Sequence, residues 1–73
     1  MTNLRIIFGK NLRKIRRRRD LTQEKLAETL GVSVEFVSNM ERGVNAPSFE
    51  TIEKIASAFD LSAAQLFDFE EEK

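Results

Sequence analysis

The stretch LTQEKLAETLGVSVEFVSNMERG, residues 21–43, predicts two short helices joined by a tight turn. Thr22 and Ser33 are residue types that cap a helix, because a hydroxyl accepts hydrogen bonds from the free backbone N–H groups of the first turn. Gly31 can adopt the left-handed conformation that ends a helix. We therefore expect one helix between Thr22 and Gly31 and a second one that begins after Ser33. Their buried sides are Leu26, Ala27 and Leu30 in the first, and Phe36, Val37 and Met40 in the second.

Three further helices are predicted on either side of this stretch. Apolar residues at three- and four-residue steps predict a helix over residues 3–18, namely Leu4, Ile7, Phe8, Leu12 and Ile15. Ser48 and Ser62 are expected to cap a fourth and a fifth helix, the latter with a capping box to Gln65. The fourth helix has its own apolar stripe, Ile52, Ile55, Ala56 and Phe59. No segment alternates with period two. The expected fold is all-α, with a compact five-helix domain over residues 1–67 and an acidic tail over residues 68–73.

The composition argues against an enzyme. The 73 residues leave room for one domain, and a chain of this size buries only about 60% of its extended surface. It contains no cysteine and no histidine, so disulfides and thiolate metal sites are excluded and the commonest general base is missing. The acids Asp60, Asp68 and residues 70–72 fall in a predicted turn and tail, without rigid surroundings to shift a pKa. We expect no catalytic residue, no cofactor, no metal and no small-molecule ligand.

The charge is distributed unevenly, although its formal sum is zero. Residues 1–20 carry eight basic side chains against one acid, Asp20: Arg5, Lys10, Arg13, Lys14 and Arg16–Arg19. Residues 49–73 carry seven acids and two lysines. Such asymmetry suggests nucleic-acid contact at the basic end. Arg5 and Lys10 also interrupt the apolar residues near the N-terminus, so no signal peptide or membrane span is expected, and the predicted location is cytoplasmic.

The order and spacing of these features resemble the Cro/cI-type (Xre) helix-turn-helix family of DNA-binding regulators. The matching residues are Thr22-Gln23, Leu26-Ala27, Gly31-Val32-Ser33, Val37 and Glu41-Arg42-Gly43, with Pro47, Ile55-Ala56 and Leu61-Ser62 extending the likeness. The resemblance covers nearly the whole chain and implies a lambda-repressor-like domain. In such domains the second helix of the motif enters the major groove of double-stranded DNA, and the first crosses the backbone.

The resemblance also implies roles for individual residues. Ser33, Val34, Glu35 and Asn39 match positions that face base edges, while Gln23, Arg42 and Asn45 match positions that contact phosphate. The position that Gln23 matches also braces the recognition helix. Arg16 and Glu41 match a family ion pair that joins the first helix to the end of the third.

The chemistry of these side chains fits the implied roles to different degrees. Asn39 can form two hydrogen bonds with adenine, and Val34 can cover a thymine methyl group. Ser33 is first a helix cap. Glu35 can accept from cytosine N4, yet its charge is repelled by phosphates, so base contact and solvent exposure both stay open. In the run Arg16–Arg19 the side chains diverge around the helix, and those other than Arg16 are expected to be solvated or near phosphate. Arg13 and Lys14 are expected to be mostly solubilising.

A homodimer on a palindromic operator is the expected assembly, because one recognition helix reads only a few base pairs. The predicted interface is Leu61, Ala64, Leu66, Phe67 and Phe69; the alternative is that Leu66 and Phe67 complete the core while Phe69 frays with the tail. A chain this short suits a restriction–modification controller, a phage repressor or an antitoxin, and the controller is preferred. The alternative function is an antitoxin or adaptor that binds a partner protein through its C-terminal helices. As a DNA-binding regulator the protein is expected at the nucleoid.

Overall fold

Five helices make up the computed structural model, which describes residues 3–69. They are α1 Leu4–Arg18, α2 Gln23–Leu30, α3 Val34–Glu41, α4 Phe49–Ala58 and α5 Ala63–Leu66. No strand occurs between residues 3 and 69. The all-α, five-helix prediction is therefore confirmed. Of the predicted acidic tail, residues 70–73 lie outside the described part of the chain.

Each helix begins where the sequence places a cap. The Thr22 hydroxyl accepts from the Lys25 amide at 3.0 Å, and the Ser33 hydroxyl accepts from the Phe36 amide at the same distance. Ser48 and Ser62 cap α4 and α5 in the same way. The capping box of α5 is complete, because the Ser62 amide donates back to the Gln65 side chain at 2.8 Å. The short helices thus receive part of their stability from their own first turns.

Left-handed residues close several of the helices. Gly31 has φ +73° at the end of α2, and Gly43 has φ +77° just beyond α3. Asp20 and Asp60 adopt φ of 57° and 56° after α1 and α4, a role that sequence reasoning did not assign to them. Aspartate tolerates this region better than most residues, since its short polar side chain can hydrogen-bond locally.

The core lies between all five helices. Its buried apolar residues are Phe8, Leu12, Leu26, Ala27, Leu30, Val37, Met40, Ile55, Ala56, Phe59 and Leu66. Leu66 is only 1% exposed, so its inclusion in the predicted dimer interface is wrong: the side chain completes the core and has no surface left for a partner. Phe67 packs its ring against Phe8 at 5.2 Å between centroids, and Phe69 packs edge-on against Phe67 at 5.9 Å. Packing therefore extends as far as Phe69.

A close backbone approach sets the position of α1 on α3. A Cβ atom at Gly9 would lie 2.3 Å from the carbonyl oxygen of Met40 and 2.8 Å from that of Glu41. Only glycine permits this approach, because every other residue would have to push the two helices apart. The contact holds the middle of α1 against the C-terminal end of α3, and Arg16 lies two turns further along the same side of α1.

Candidate DNA-binding surface

The exposed side of α3 is the first component of the candidate site. Val37 and Met40 are buried and Phe36 is half-buried, so these residues define the inner side of the helix. Helical geometry places four residues opposite them, Val34, Glu35, Ser38 and Asn39, which we call the outer face of α3. Val34 and Glu35 are exposed, whereas Ser38 and Asn39 are half-buried. Ser33 is exposed at the N-terminal end of the same helix and caps it.

Sequence reasoning missed Ser38. It lies one turn beyond Val34 and Glu35, and its hydroxyl is both a donor and an acceptor of hydrogen bonds. The helical period could have identified Ser38 as an outward-facing residue, because it falls outside the apolar stripe. It belongs to the same surface as the predicted base-contacting residues.

Two residues with separate predicted roles are joined by a hydrogen bond. The Arg42 guanidinium donates from Nη2 to Oδ1 of Asn39 at 2.5 Å. The side-chain oxygen of Asn39 is therefore already engaged by Arg42, which leaves its second lone pair and the amide N–H groups for a base. Arg42 itself is exposed.

The loop after α3 is fixed to that helix through its backbone. The carbonyl oxygen of Asn39 accepts from the amides of Val44 and Asn45, at 2.9 and 3.3 Å. Asn45, the second predicted phosphate contact in this region, is half-buried beside the end of α3. The position of Asn45 relative to Arg42 is thus set by the helix end.

A buried carboxylate holds three segments together behind the outer face of α3. Glu41 accepts from Arg16 at both oxygens, Nε to Oε2 at 2.6 Å and Nη2 to Oε1 at 3.1 Å. The amide of Gln23 also donates to Oε1, at 3.0 Å, and Arg16 Nη1 donates to the carbonyl oxygen of Leu21 at 2.7 Å. The side chains of Arg16 and Glu41 are 9% and 3% exposed. The network joins α1, the start of α2 and the end of α3, and its satisfied hydrogen bonds offset the cost of burying both charges.

Gln23 therefore helps to hold the start of α2 against the end of α3. Its Nε2 atom uses one N–H group on Glu41, and the amide retains a second N–H group for an acceptor such as a phosphate. The phosphate contact itself stays a prediction, as do those of Arg42 and Asn45.

The remaining predicted interface residues lie together near the C-terminal end of the described chain. Ala64 is exposed, and Leu61, Phe67 and Phe69 are half-buried. Another apolar residue is far more exposed: Phe49, at the first position of α4, is 86% exposed. Sequence reasoning assigned Phe49 no role. Its spacing of three residues from Ile52 and seven from Ala56 continues the apolar stripe of α4, so the helical period gave no signal of this exposure.

Neither a metal-binding cluster nor a membrane-spanning helix is found among residues 3–69. No group of three or more acidic side chains there is arranged to hold a metal ion. None of the described helices is long and apolar enough to cross a membrane.

The eight-residue helix α3 has an outer face of apolar and polar side chains, and a buried ion pair holds it from the opposite side. It follows the capped helix α2 after a tight turn. These features define a helix-turn-helix DNA-binding domain. The chain belongs to the helix-turn-helix family HTH_3, which matches its residues 12–66. This family is a class of DNA-binding transcription regulators and not an enzyme class, and the present chain is a DNA-binding transcriptional regulator.

Individual relatives resemble the chain over most of their length. It is 37% identical over 68 residues to control protein C.BamHI of Bacillus amyloliquefaciens, covering 92% of this chain and 84% of the relative. The fold matches the crystal structure of the restriction–modification controller protein C.AhdI from Aeromonas hydrophila with a TM-score of 0.81 and 37% identity, over 85% of this chain and 90% of that one. It also matches the biofilm regulator SinR in complex with DNA, with a TM-score of 0.77 and 29% identity, over 84% and 98% of the two chains.

Proposed function

We propose that this protein is a homodimeric, sequence-specific regulator that binds a palindromic operator and controls a restriction–modification system, with no catalytic step and no cofactor. The observation that carries the proposal is the outer face of α3, a set of exposed and half-buried side chains of base-reading types on a helix held in place by Arg16, Glu41 and Gln23. Binding to DNA also implies a cytoplasmic, nucleoid-associated location.

The proposed division of roles follows from the chemistry of the surface. Val34 and Asn39 read bases, Ser33 adds a contact at the helix start, and Glu35 either accepts from cytosine or faces solvent. Gln23, Arg42 and Asn45 contact phosphates and fix the position of the domain on the duplex.

Dimerisation is proposed because α3 has only eight residues, so one copy reads only a few base pairs. Two copies with recognition helices about 34 Å apart read two half-sites separated by one turn of DNA. The proposed interface consists of Leu61, Ala64, Phe67 and Phe69, whose exposed or half-buried side chains remain available after Leu66 is assigned to the core.

The controller assignment is supported by the likeness to C.BamHI and C.AhdI over most of the length of each. The alternative of a protein-binding adaptor makes a different prediction for the outer face of α3. Replacing Val34 and Asn39 by alanine would leave an adaptor able to bind its partner, whereas a DNA reader would lose its sequence preference.

Selection of bound sequences from random duplexes tests the proposal. The expected product is an enriched motif with two-fold symmetry and half-sites about one helical turn apart. Recovery of no enriched motif would overturn sequence-specific binding, and an enriched motif without symmetry would overturn the dimer. For the subtype, the selected motif should occur upstream of a methyltransferase–endonuclease gene pair.

A further inference from the structure

The outward face of α1 carries a concentration of positive charge. Five basic side chains line an open depression of ≈ 500 Å³ there: Lys10, Arg13, Lys14, Arg17 and Arg18. Each of them lies three or four residues from at least one other member of the set, and together they occupy the side of the helix opposite Phe8 and Leu12. Like charges at a spacing of three or four residues repel one another on a helix. The arrangement therefore disfavours the free helix and favours binding to a polyanion.

The basic residues divide between two sides of α1. Lys14 and Arg18 line a second depression together with Leu61, Gln65 and Asp68, so they turn toward α5 and an acidic side chain. Arg13 and Arg17 turn the other way. Each residue rotates the helix by about 100°, so Arg13 lies about 60° and Arg17 about 100° around the helix axis from Arg16. Both are on the side of α1 that approaches the end of α3.

Two contacts place that side of α1 beside the proposed DNA surface. The backbone at Gly9 approaches the end of α3 so closely that an added Cβ atom would collide with the carbonyl oxygens of Met40 and Glu41, and Arg16 donates to the Glu41 carboxylate. Arg42, the next residue of the chain after Glu41, is a proposed phosphate contact. Arg13 and Arg17 are both exposed, so their guanidinium groups are accessible on this side of α1.

We propose that Arg13 and Arg17 bind phosphates of the same duplex, on the flank of the base pairs that α3 reads. The inference rests on the proposed reading of DNA by α3 and extends the backbone contacts of Gln23, Arg42 and Asn45 along α1. The planar guanidinium suits this role, since it donates two parallel hydrogen bonds to phosphate oxygens. A duplex supplies phosphates at regular spacing along the path that leads away from the recognition helix.

The test compares two double variants that remove the same charge from the same helix. The first is Arg13→Ala with Arg17→Ala, and the matched control is Lys14→Ala with Arg18→Ala. Each is titrated with the duplex recovered by random selection, over a series of salt concentrations. Because each phosphate contact contributes about 0.9 to the slope of log K against log salt, the first variant should lower the slope by about two and the control by less than one. Equal changes in both variants would overturn the proposal.

A second measurement locates the contact on the DNA. Trimming the selected duplex to the base pairs of the motif should weaken binding of the wild type and of the control, but not of the Arg13→Ala, Arg17→Ala variant. An equal loss in all three proteins would overturn the proposal. The basic side chains of α1 would then be assigned to binding another acidic partner. Arg13→Lys with Arg17→Lys should restore the salt slope.

The two proposals fail in distinguishable ways. If α3 does not read bases, the wild type shows no preference for the selected duplex over a scrambled one. If only the α1 proposal is wrong, that preference persists while the two variants behave alike. Thermal denaturation of each variant is measured in parallel, and an unchanged midpoint is expected for Arg13→Ala with Arg17→Ala because both residues are exposed.

Discussion

The guanidinium of Arg16 on α1 and the carboxylate of Glu41 at the end of α3 form a buried ion pair with two hydrogen bonds, the shorter of 2.6 Å. Gln23, at the start of α2, donates to the same carboxylate. The pair therefore does more than join two helices: it fixes the position of the recognition helix relative to both neighbouring segments.

Breaking this pair should destabilise the protein strongly. Arg16→Ala leaves a buried carboxylate without its main partner, and the loss of one member of such a pair costs about 3–5 kcal/mol of unfolding free energy. Urea denaturation at a fixed protein concentration measures the effect. Lys25→Ala is the control, because Lys25 and Glu28 form an exposed pair that contributes at most about 1 kcal/mol. Equal losses in the two variants would show that the Arg16–Glu41 pair is not buried in solution.

Gly9→Ala should also destabilise the fold, although alanine is the better helix former. Helix propensity alone would stabilise the variant by about 0.5–1 kcal/mol. The added Cβ meets the Met40 carbonyl oxygen at 2.3 Å, however, and backbone atoms cannot move aside as a flexible side chain can. We expect a net loss of about 1–3 kcal/mol in the same denaturation assay. A more stable variant would contradict the close approach of α1 and α3.

Arg42 and Asn39 should be coupled energetically in DNA binding. Arg42→Ala removes a proposed phosphate contact and should weaken binding to all duplexes, with a salt slope lower by about one. Because Arg42 also donates to the Asn39 side chain, the loss in the double variant should differ from the sum of the single losses by about 0.5 kcal/mol or more. Additive losses would mean that the two side chains separate on DNA.

Substitutions at Ala64 and Leu66 should separate assembly from folding. Ala64→Glu puts a charge on an exposed position of the proposed interface, so sedimentation should show more monomer while the helical content is retained. Ala58→Glu, at an exposed position of α4, is the control and should leave assembly unchanged. Leu66→Ala instead opens a cavity in the core and should cost about 2–5 kcal/mol of unfolding free energy. Unaltered assembly in Ala64→Glu would contradict the proposed interface.

The sequence was sufficient for those features that depend on a few neighbouring residues. Thr22, Ser33, Ser48 and Ser62 cap the helices as predicted, because a hydroxyl at the right position needs only the first turn that follows it. The apolar stripes likewise identified most of the core, since the helical period is a local property.

Features that depend on how helices cross could not be predicted. Nothing in the neighbours of Gly9 indicates that another backbone lies 2.3 Å from its missing Cβ atom. The same holds for Leu66, which looks available for an interface until the position of α1 is known. The hydrogen bond from Arg42 to Asn39 depends on the side chain conformations at a helix end, which the period of the sequence does not determine.

The most direct test of the central claim, that the outer face of α3 reads bases, is the ratio of the Kd for a scrambled duplex to the Kd for the selected operator. Asn39→Ala should lower this ratio about fivefold or more, because a lost bidentate contact to a base costs about 1–3 kcal/mol of discrimination. Its thermal midpoint should stay close to that of the wild type, which separates recognition from folding. A ratio unchanged in both Asn39→Ala and Val34→Ala would contradict the account.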